Sequence, residues 1–159
     1  MVNKNVLVVD DQETVIEVIA IALFDGGFVP CIAKDGKTAI EEFRHYKPYL
    51  AIIDLKLEDG IGGVVLNEKL KDYDPLIFSV AMSGWFNELY SIAYLRRKKF
   101  DHFLEKPFRV DRLLRIANAA RVYRKIWEEI SSNKKDLETE VTEEPIMRVR
   151  NGEKAVFVN

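Results

Sequence analysis

The sequence predicts an α/β fold, a parallel β-sheet covered by helices on both faces. Three observations carry that prediction. Apolar runs of strand length, such as Val6-Leu7-Val8-Val9 and Leu50-Ala51-Ile52-Ile53, are continuous rather than alternating, as in strands buried on both sides. Segments with apolar residues at helical spacing alternate with these runs. The connections between them are short. With 159 residues, 48% hydrophobic and 31% charged, the chain can bury one ordinary core and carry an appendage.

The elements follow in order. Val6–Val9 stops at Asp10-Asp11. Val15, Ile16, Val18, Ile19, Ala22 and Leu23 then recur at helical spacing, and Gly26-Gly27 ends that helix. Phe28 to Ala33 reads as the second strand, and Asp35 is placed to N-cap a helix carrying Ala39, Ile40 and Phe43. Pro48 precedes the third strand, which ends in Asp54. Glu58-Asp59-Gly60-Ile61-Gly62-Gly63 is turn chemistry, followed by a short helix with Val64, Val65, Leu66 and Leu70. Pro75 introduces a fourth strand from Leu76 to Met82, broken by Ser83-Gly84. Leu89, Ile92, Ala93 and Leu95 give the next helix its apolar face, and His102-Phe103-Leu104 forms a short fifth strand before Glu105-Lys106-Pro107. The last helix opens near Val110 and is predicted to run to about Ile130, with Ser131-Ser132-Asn133 as the break.

The break divides the chain into a main domain over residues 1–130 and a tail over 131–159. The tail opens with an acidic run, Asp136, Glu138, Glu140, Glu143 and Glu144. Asn151-Gly152 between two β-prone segments then predicts a hairpin, marginal alone and so expected to dock on the main domain or on another chain. About 30 residues are too few for an independent effector core. Output is therefore expected through the main domain, its last helix or the tail. Along that helix Tyr123, Ile126, Trp127 and Ile130 continue an apolar stripe, which either packs on the tail hairpin or forms a subunit interface.

Composition narrows the function. A net charge of -2 gives no global basic field for nucleic acid. The single cysteine, Cys31, excludes an internal disulfide and a cysteine-rich metal cage. No leader-like segment opens the chain and no stretch reaches a membrane span of about 20 apolar residues. A soluble cytoplasmic protein is the expectation. His45 and His102 have no metal-site partner, so structural roles are expected for both.

In such a fold ligands sit outside the carboxyl ends of the strands. Asp10, Asp11, Asp54, Ser83 and Lys106 all fall there, so five polar residues should converge on one edge. Taken alone each has a plainer reading: an N-cap pair for Asp10-Asp11, a turn residue for Ser83, a solvated surface cation for Lys106. Together they describe a site. Three carboxylates repel unless a cation lies between them, and Mg²⁺ takes oxygen ligands together with phosphate oxygens. A carboxylate can also attack phosphorus and form an aspartyl phosphate. The Lys106 ammonium and the Ser83 hydroxyl would then meet the phosphoryl oxygens, with Gly84 leaving room for close approach.

Four pieces in this order, Val6-Leu7-Val8-Val9-Asp10-Asp11, Ile52-Ile53-Asp54-Leu55-Lys56-Leu57, Ala81-Met82-Ser83-Gly84 and Phe103-Leu104-Glu105-Lys106-Pro107-Phe108, resemble the receiver domain of two-component response regulators. The resemblance covers about residues 5–125. It implies the doubly wound, flavodoxin-like strand order 2-1-3-4-5, an order the sequence pattern does not itself reveal. It also implies that Asp54 accepts a phosphoryl group from a histidine kinase or a small phosphodonor. Asp11, Asp54 and the Lys56 backbone carbonyl would bind Mg²⁺, with Asp10 acting through a metal-bound water. Ser83 and Lys106 would contact the phosphoryl group, Phe103 would swing inward as Ser83 moves, and the Lys106–Pro107 bond would be cis. No further cofactor is implied. Lys56 and Trp85 occupy positions that in this family tune how water reaches the acyl phosphate, and the bulk of Trp85 suggests a shield. Glu58 stands where many members carry proline, which makes that loop more acidic.

The resemblance favours a phosphorylation-controlled switch that signals through its last strand and helices, by dimerising through the fourth helix, fifth strand and fifth helix or by binding a target. The alternatives are a phosphorelay shuttle to a histidine phosphotransfer protein and a phosphorylation-independent scaffold. Enzymes of other classes fit poorly. Asp10-Asp11-Gln12 is not the Asp-x-Asp of a haloacid-dehalogenase-type phosphatase, its charge would repel a flavin phosphate, and no Gly-rich loop with lysine is present. Beyond its own phosphorylation and slow dephosphorylation, no enzyme activity is expected. The basic residues Arg96-Arg97-Lys98-Lys99 and Arg109, Arg112, Arg115, Arg121, Arg124 and Lys125 suit a helix end or a docking surface better than nucleic acid, since no DNA-binding module is recognisable.

Overall fold

Strands and helices alternate along the described residues of this computed structural model, which are 3–58, 60–84 and 92–142. The order is β1 (Asn5–Val9), α1 (Glu13–Asp25), β2 (Val29–Ala33), α2 (Gly36–Tyr46), β3 (Leu50–Asp54), α3 (Gly63–Tyr73), β4 (Phe78–Ser83), α4 (Ile92–Arg97), β5 (His102–Glu105) and α5 (Val110–Thr142). All strand pairs are parallel, in the order β2-β1-β3-β4-β5. That is the order the resemblance implied. The chain forms two compact units, Met1–Trp127 and Glu128–Asn159.

The continuous apolar strands have the expected cause. Val6 and Val8 of β1 and Leu50 and Ile52 of β3 face one core with Ile19 and Leu23 of α1 and Leu113 and Ala117 of α5. Their neighbours Leu7, Val9, Ala51 and Ile53 face a second core with Phe43 of α2, Leu66 and Leu70 of α3 and Leu95 of α4. Because successive side chains point to opposite faces, a strand covered on both sides must be apolar throughout. The buried Tyr49 hydroxyl donates to the Ala117 carbonyl at 2.9 Å and ties the root of β3 to α5.

Local chemistry sets the helix ends. Asp35 caps α2: its Oδ1 accepts from the Thr38 backbone N–H at 2.8 Å, which holds the carboxyl below its usual range. Gly27, at φ 81°, makes the left-handed turn after α1. Gly63 is required by close approach: a β-carbon there would lie 2.9 Å from the Leu55 Cα and would collide with the Asp54 carbonyl. The start of α3 thus packs directly on the end of β3 that carries Asp54.

Three boundaries differ from expectation. β2 begins at Val29 and β4 at Phe78, each later than the apolar run suggests, because parallel pairing with β1 and β3 starts only there. Val18 faces outward on α1 although it shares the apolar spacing. The last helix does not end near Ile130, and Ser131-Ser132-Asn133 is no break: α5 continues to Thr142. The Ser132 hydroxyl donates back to the Glu128 carbonyl at 2.8 Å, so this residue is satisfied inside the helix. The expected tail hairpin lies outside the described residues, as do Asp59 and Trp85. No helix among the described residues is long and apolar enough to cross a membrane.

Candidate functional site

The carboxyl ends of β1, β3, β4 and β5 bring the five predicted polar residues to one edge. Backbone bonds hold these ends together. Leu55 N–H donates to the Met82 carbonyl at 3.0 Å and Lys106 N–H to the Ser83 carbonyl at 2.9 Å, so the residues just past β3 and β5 are registered on β4. The Lys106–Pro107 peptide is cis, as the resemblance implied. A cavity of about 260 Å³ opens here, lined by Asp11, Asp54, Lys56, Ser83, Gly84 and Lys106 together with Gln12 and Glu58.

Asp10 and Asp54 are almost wholly inaccessible, at 0% and 4% exposure, whereas Asp11 is half-buried. Carboxylate oxygens of the three lie within 4.8 Å of one another. Asp10 is fully engaged: Oδ1 accepts from the Gln12 N–H at 2.9 Å and Oδ2 from Lys106 Nζ at 2.6 Å. Asp54 is held more loosely, with Oδ1 accepting from the Lys56 N–H at 3.2 Å and Oδ2 from Lys106 Nζ at 3.2 Å. Asp11 Oδ2 accepts a long bond, 3.4 Å, from the Glu58 N–H. The shorter lysine contact to Asp10 was not foreseen from sequence, which assigned the ammonium to Asp54.

Burial pushes the Asp54 carboxyl above its usual range, Lys106 pulls it back in part, and the neighbouring Asp10 raises it again. One lysine facing two inaccessible carboxylates and a third beside them leaves negative charge uncompensated within the cluster. The donors are all oxygen and no histidine or cysteine joins them, which fits a hard divalent cation.

The raised pKa has a consequence for stability. Between the unfolded value, about 3.9 for an aspartate, and the raised folded value, the native state keeps a proton that the unfolded chain has lost. Unfolding free energy from this group therefore falls as pH rises through that window. Asp54→Asn should raise the melting temperature of metal-free protein at neutral pH and flatten its pH dependence above pH 4. Melts in chelator from pH 4 to 7 check this; a variant melting below the wild type at pH 7 would contradict the assigned cause.

Ser83 is buried at the end of β4 and lines the same cavity as Asp11. Phe103 is partly buried against the second core and stacks on His102, ring centroids 6.4 Å apart. Sequence reasoning missed a buried polar cluster between α3 and the sheet. Lys71 Nζ donates to the Ile77 carbonyl at 2.5 Å and to Asp101 Oδ2 at 2.7 Å, and the same oxygen accepts from Ser79 N–H at 2.8 Å. The signal existed, since Asn67 and Lys71 fall in phase with Leu66 and Leu70 on the buried face of α3.

Comparison with known proteins agrees with this fold. Residues 6–118 match the model of the response regulator receiver domain. The nitrogen assimilation regulatory protein NtrX of Azorhizobium caulinodans is 32% identical over 117 residues, which are 73% of this chain and 26% of that protein. The crystal structure of the receiver domain of NtrX from Brucella abortus superposes with a TM-score of 0.68 at 30% identity, over 73% of this chain and 97% of that one. A response regulator receiver domain protein from Clostridium thermocellum, at 20% identity and a TM-score of 0.71, shares the fold. The chain spans about a quarter of the length of the curated NtrX relatives it matches.

Proposed function

The chain belongs to the response regulator receiver family of two-component systems, and on that premise we propose that Asp54 is its phosphoryl acceptor. The observation that carries this reading is the placement of Asp54: an inaccessible carboxylate at the end of β3, 3.2 Å from the Lys106 ammonium and in one cavity with Asp11 and Ser83. A carboxylate oxygen of Asp54 forms a bond to phosphorus as the P–N bond to the imidazole of a kinase phosphohistidine breaks, the electron pair leaving with the nitrogen. Lys106 and Ser83 stabilise the charge on the phosphoryl oxygens. Asp11, Asp54 and the Lys56 carbonyl, with Asp10 through water, would hold Mg²⁺, which would supply positive charge to offset that of the phosphoryl group. The partner is a cytoplasmic histidine kinase or phosphotransfer protein. Apart from this self-modification and its slow reversal the domain is a switch rather than an enzyme.

Ser83 and Phe103 couple the modification to a protein-interaction surface on α4, β5 and α5, through which the protein dimerises or engages a target. The covalent charge acts by shifting the balance between two existing conformations. The test is incubation with acetyl phosphate and Mg²⁺ followed by intact mass. A single phosphoryl adduct, suppressed by chelator and lost in Asp54→Asn, is expected. An unmodified wild type would move the reading to a phosphorylation-independent scaffold.

Trp85, two residues beyond Ser83, is proposed to shield the acyl phosphate from water, with Lys56 as the second tuning position. Trp85→Ala should then shorten the lifetime of the adduct by several-fold, measured as the decay of phosphorylated protein after donor removal. An unchanged lifetime would remove Trp85 from the mechanism.

A further inference from the structure

Glu58 lines the cavity that holds Asp11 and Asp54, yet phosphoryl transfer to Asp54 gives it no task. Its backbone N–H reaches Asp11 Oδ2 in a long bond of 3.4 Å, across 47 positions of sequence. That contact ties the loop after β3 to a residue of the carboxylate cluster. Lys56, two residues earlier, donates its N–H to Asp54 Oδ1 at 3.2 Å. The same loop is seated again at Ile61: a β-carbon on Gly36 would lie 2.7 Å from the Ile61 β-carbon, so Ile61 packs directly on the start of α2. The backbone of Glu58 is therefore placed at the cavity by its neighbours, although the residue is exposed. Its carboxylate is not one of the three whose oxygens lie within 4.8 Å of one another. Nor does any cation pair with it among the described residues.

Four carboxylates line this cavity or bond into it, Asp10, Asp11, Asp54 and Glu58, against two ammonium groups, Lys56 and Lys106. One divalent cation cancels the difference. A phosphoryl group on Asp54 removes one negative charge and brings about two. With the cation in place, the edge is then about one charge too negative, and the Glu58 carboxylate is the size of that excess. We propose that Glu58 sets the balance between cation and phosphoryl group at this site: its charge strengthens Mg²⁺ binding by the unmodified domain and weakens the hold on a phosphoryl group at Asp54. It acts through space, as an unpaired carboxylate beside the ligands rather than as a ligand. At such a separation one unit charge changes the affinity for a charged group by about two- to tenfold, and less as salt screens it. The two effects have opposite signs because the two bound groups do. A residue that acted only through the shape of the loop would, when replaced, weaken both.

Glu58 has this role only where Asp54 is the phosphoryl acceptor with Mg²⁺ beside it, so it rests on the function proposed above. The full chain and its Glu58→Gln variant, which keeps the backbone N–H and the side-chain length, are titrated with Mg²⁺ by calorimetry. Both are then titrated with beryllofluoride, a phosphoryl mimic, at saturating Mg²⁺. Glu58→Gln is expected to bind Mg²⁺ about two- to tenfold more weakly and beryllofluoride about two- to tenfold more tightly. Both differences should shrink in about 0.5 M KCl, where the screening length is roughly 4 Å. Glu58→Asp, which keeps the charge, should follow the wild type in both titrations. Equal affinities in Glu58→Gln and wild type, or a loss of affinity for both ligands together, would overturn the role of the charge and leave Asp54 as the acceptor. A wild type that takes up neither Mg²⁺ nor beryllofluoride would overturn the acceptor reading, and the role of Glu58 with it.

Discussion

Lys106→Ala is expected to slow formation of the Asp54 adduct by about 10²–10³-fold, the usual cost of removing one charge-stabilising donor from a phosphoryl or oxyanion site. The lysine lies 2.6 Å from Asp10 and 3.2 Å from Asp54, and is itself 18% exposed. Its loss has a second effect. Two inaccessible carboxylates would then lack their cation, and breaking a buried pair from one side costs about 3–5 kcal/mol. The two effects separate by metal. Saturating Mg²⁺ should recover part of the lost stability, since binding to the native state adds to unfolding free energy, yet it should leave the adduct slow to form. Rates by intact mass and urea midpoints with and without Mg²⁺ give both readings. An adduct forming at the wild-type rate would show that the ammonium orders Asp10 and takes no part in phosphoryl transfer.

Lys71→Ala should destabilise the domain by about 3 kcal/mol without altering the site, because it removes the cation from a buried pair. The side chain is 8% exposed, and its ammonium serves both the Ile77 carbonyl and Asp101, which also takes the Ser79 N–H. These bonds join α3, the start of β4 and the turn into β5. Loss of the ammonium leaves the Asp101 carboxylate with only neutral donors among the described residues and the Ile77 carbonyl short of one. Lys71→Met keeps most of the packing and should cost nearly as much, which assigns the effect to charge and hydrogen bonding. In the Lys71→Met/Asp101→Asn pair the losses should fall short of additive. A urea midpoint within error of the wild type for Lys71→Ala would mean the cluster is solvent-screened.

Much of this was legible in the residues. Fully apolar strands announce a sheet covered on both faces, and the polar residue that ends each strand marks the edge where a site forms. Asp10, Asp11, Asp54, Ser83 and Lys106 were found that way, and all meet at one cavity or bond into it. Other features were hidden for physical reasons. The short contact from Lys106 to Asp10 joins residues 96 apart in sequence, and which of two adjacent carboxylates a lysine prefers depends on ångström-scale placement. Asp101 is no more than a loop acid until the fold sets it beside Lys71, 30 residues away. Ser131-Ser132-Asn133 misled because propensity is a weak guide: strong helix formers on both sides outweigh three poor ones, and the Ser132 hydroxyl finds its partner inside the helix. The outward turn of Val18 shows that apolar spacing on a helix does not settle which residues reach the core.

The central claim is the identity of the acceptor, and borohydride trapping tests it most directly. An aspartyl phosphate is reduced to homoserine, leaving a permanent mark on the residue that carried it. After treatment with acetyl phosphate and Mg²⁺, then borohydride, peptide mass spectrometry should place homoserine at position 54 and leave Asp10 and Asp11 unchanged. Homoserine at position 10 or 11, or phosphate recovered only on a serine, would contradict the account.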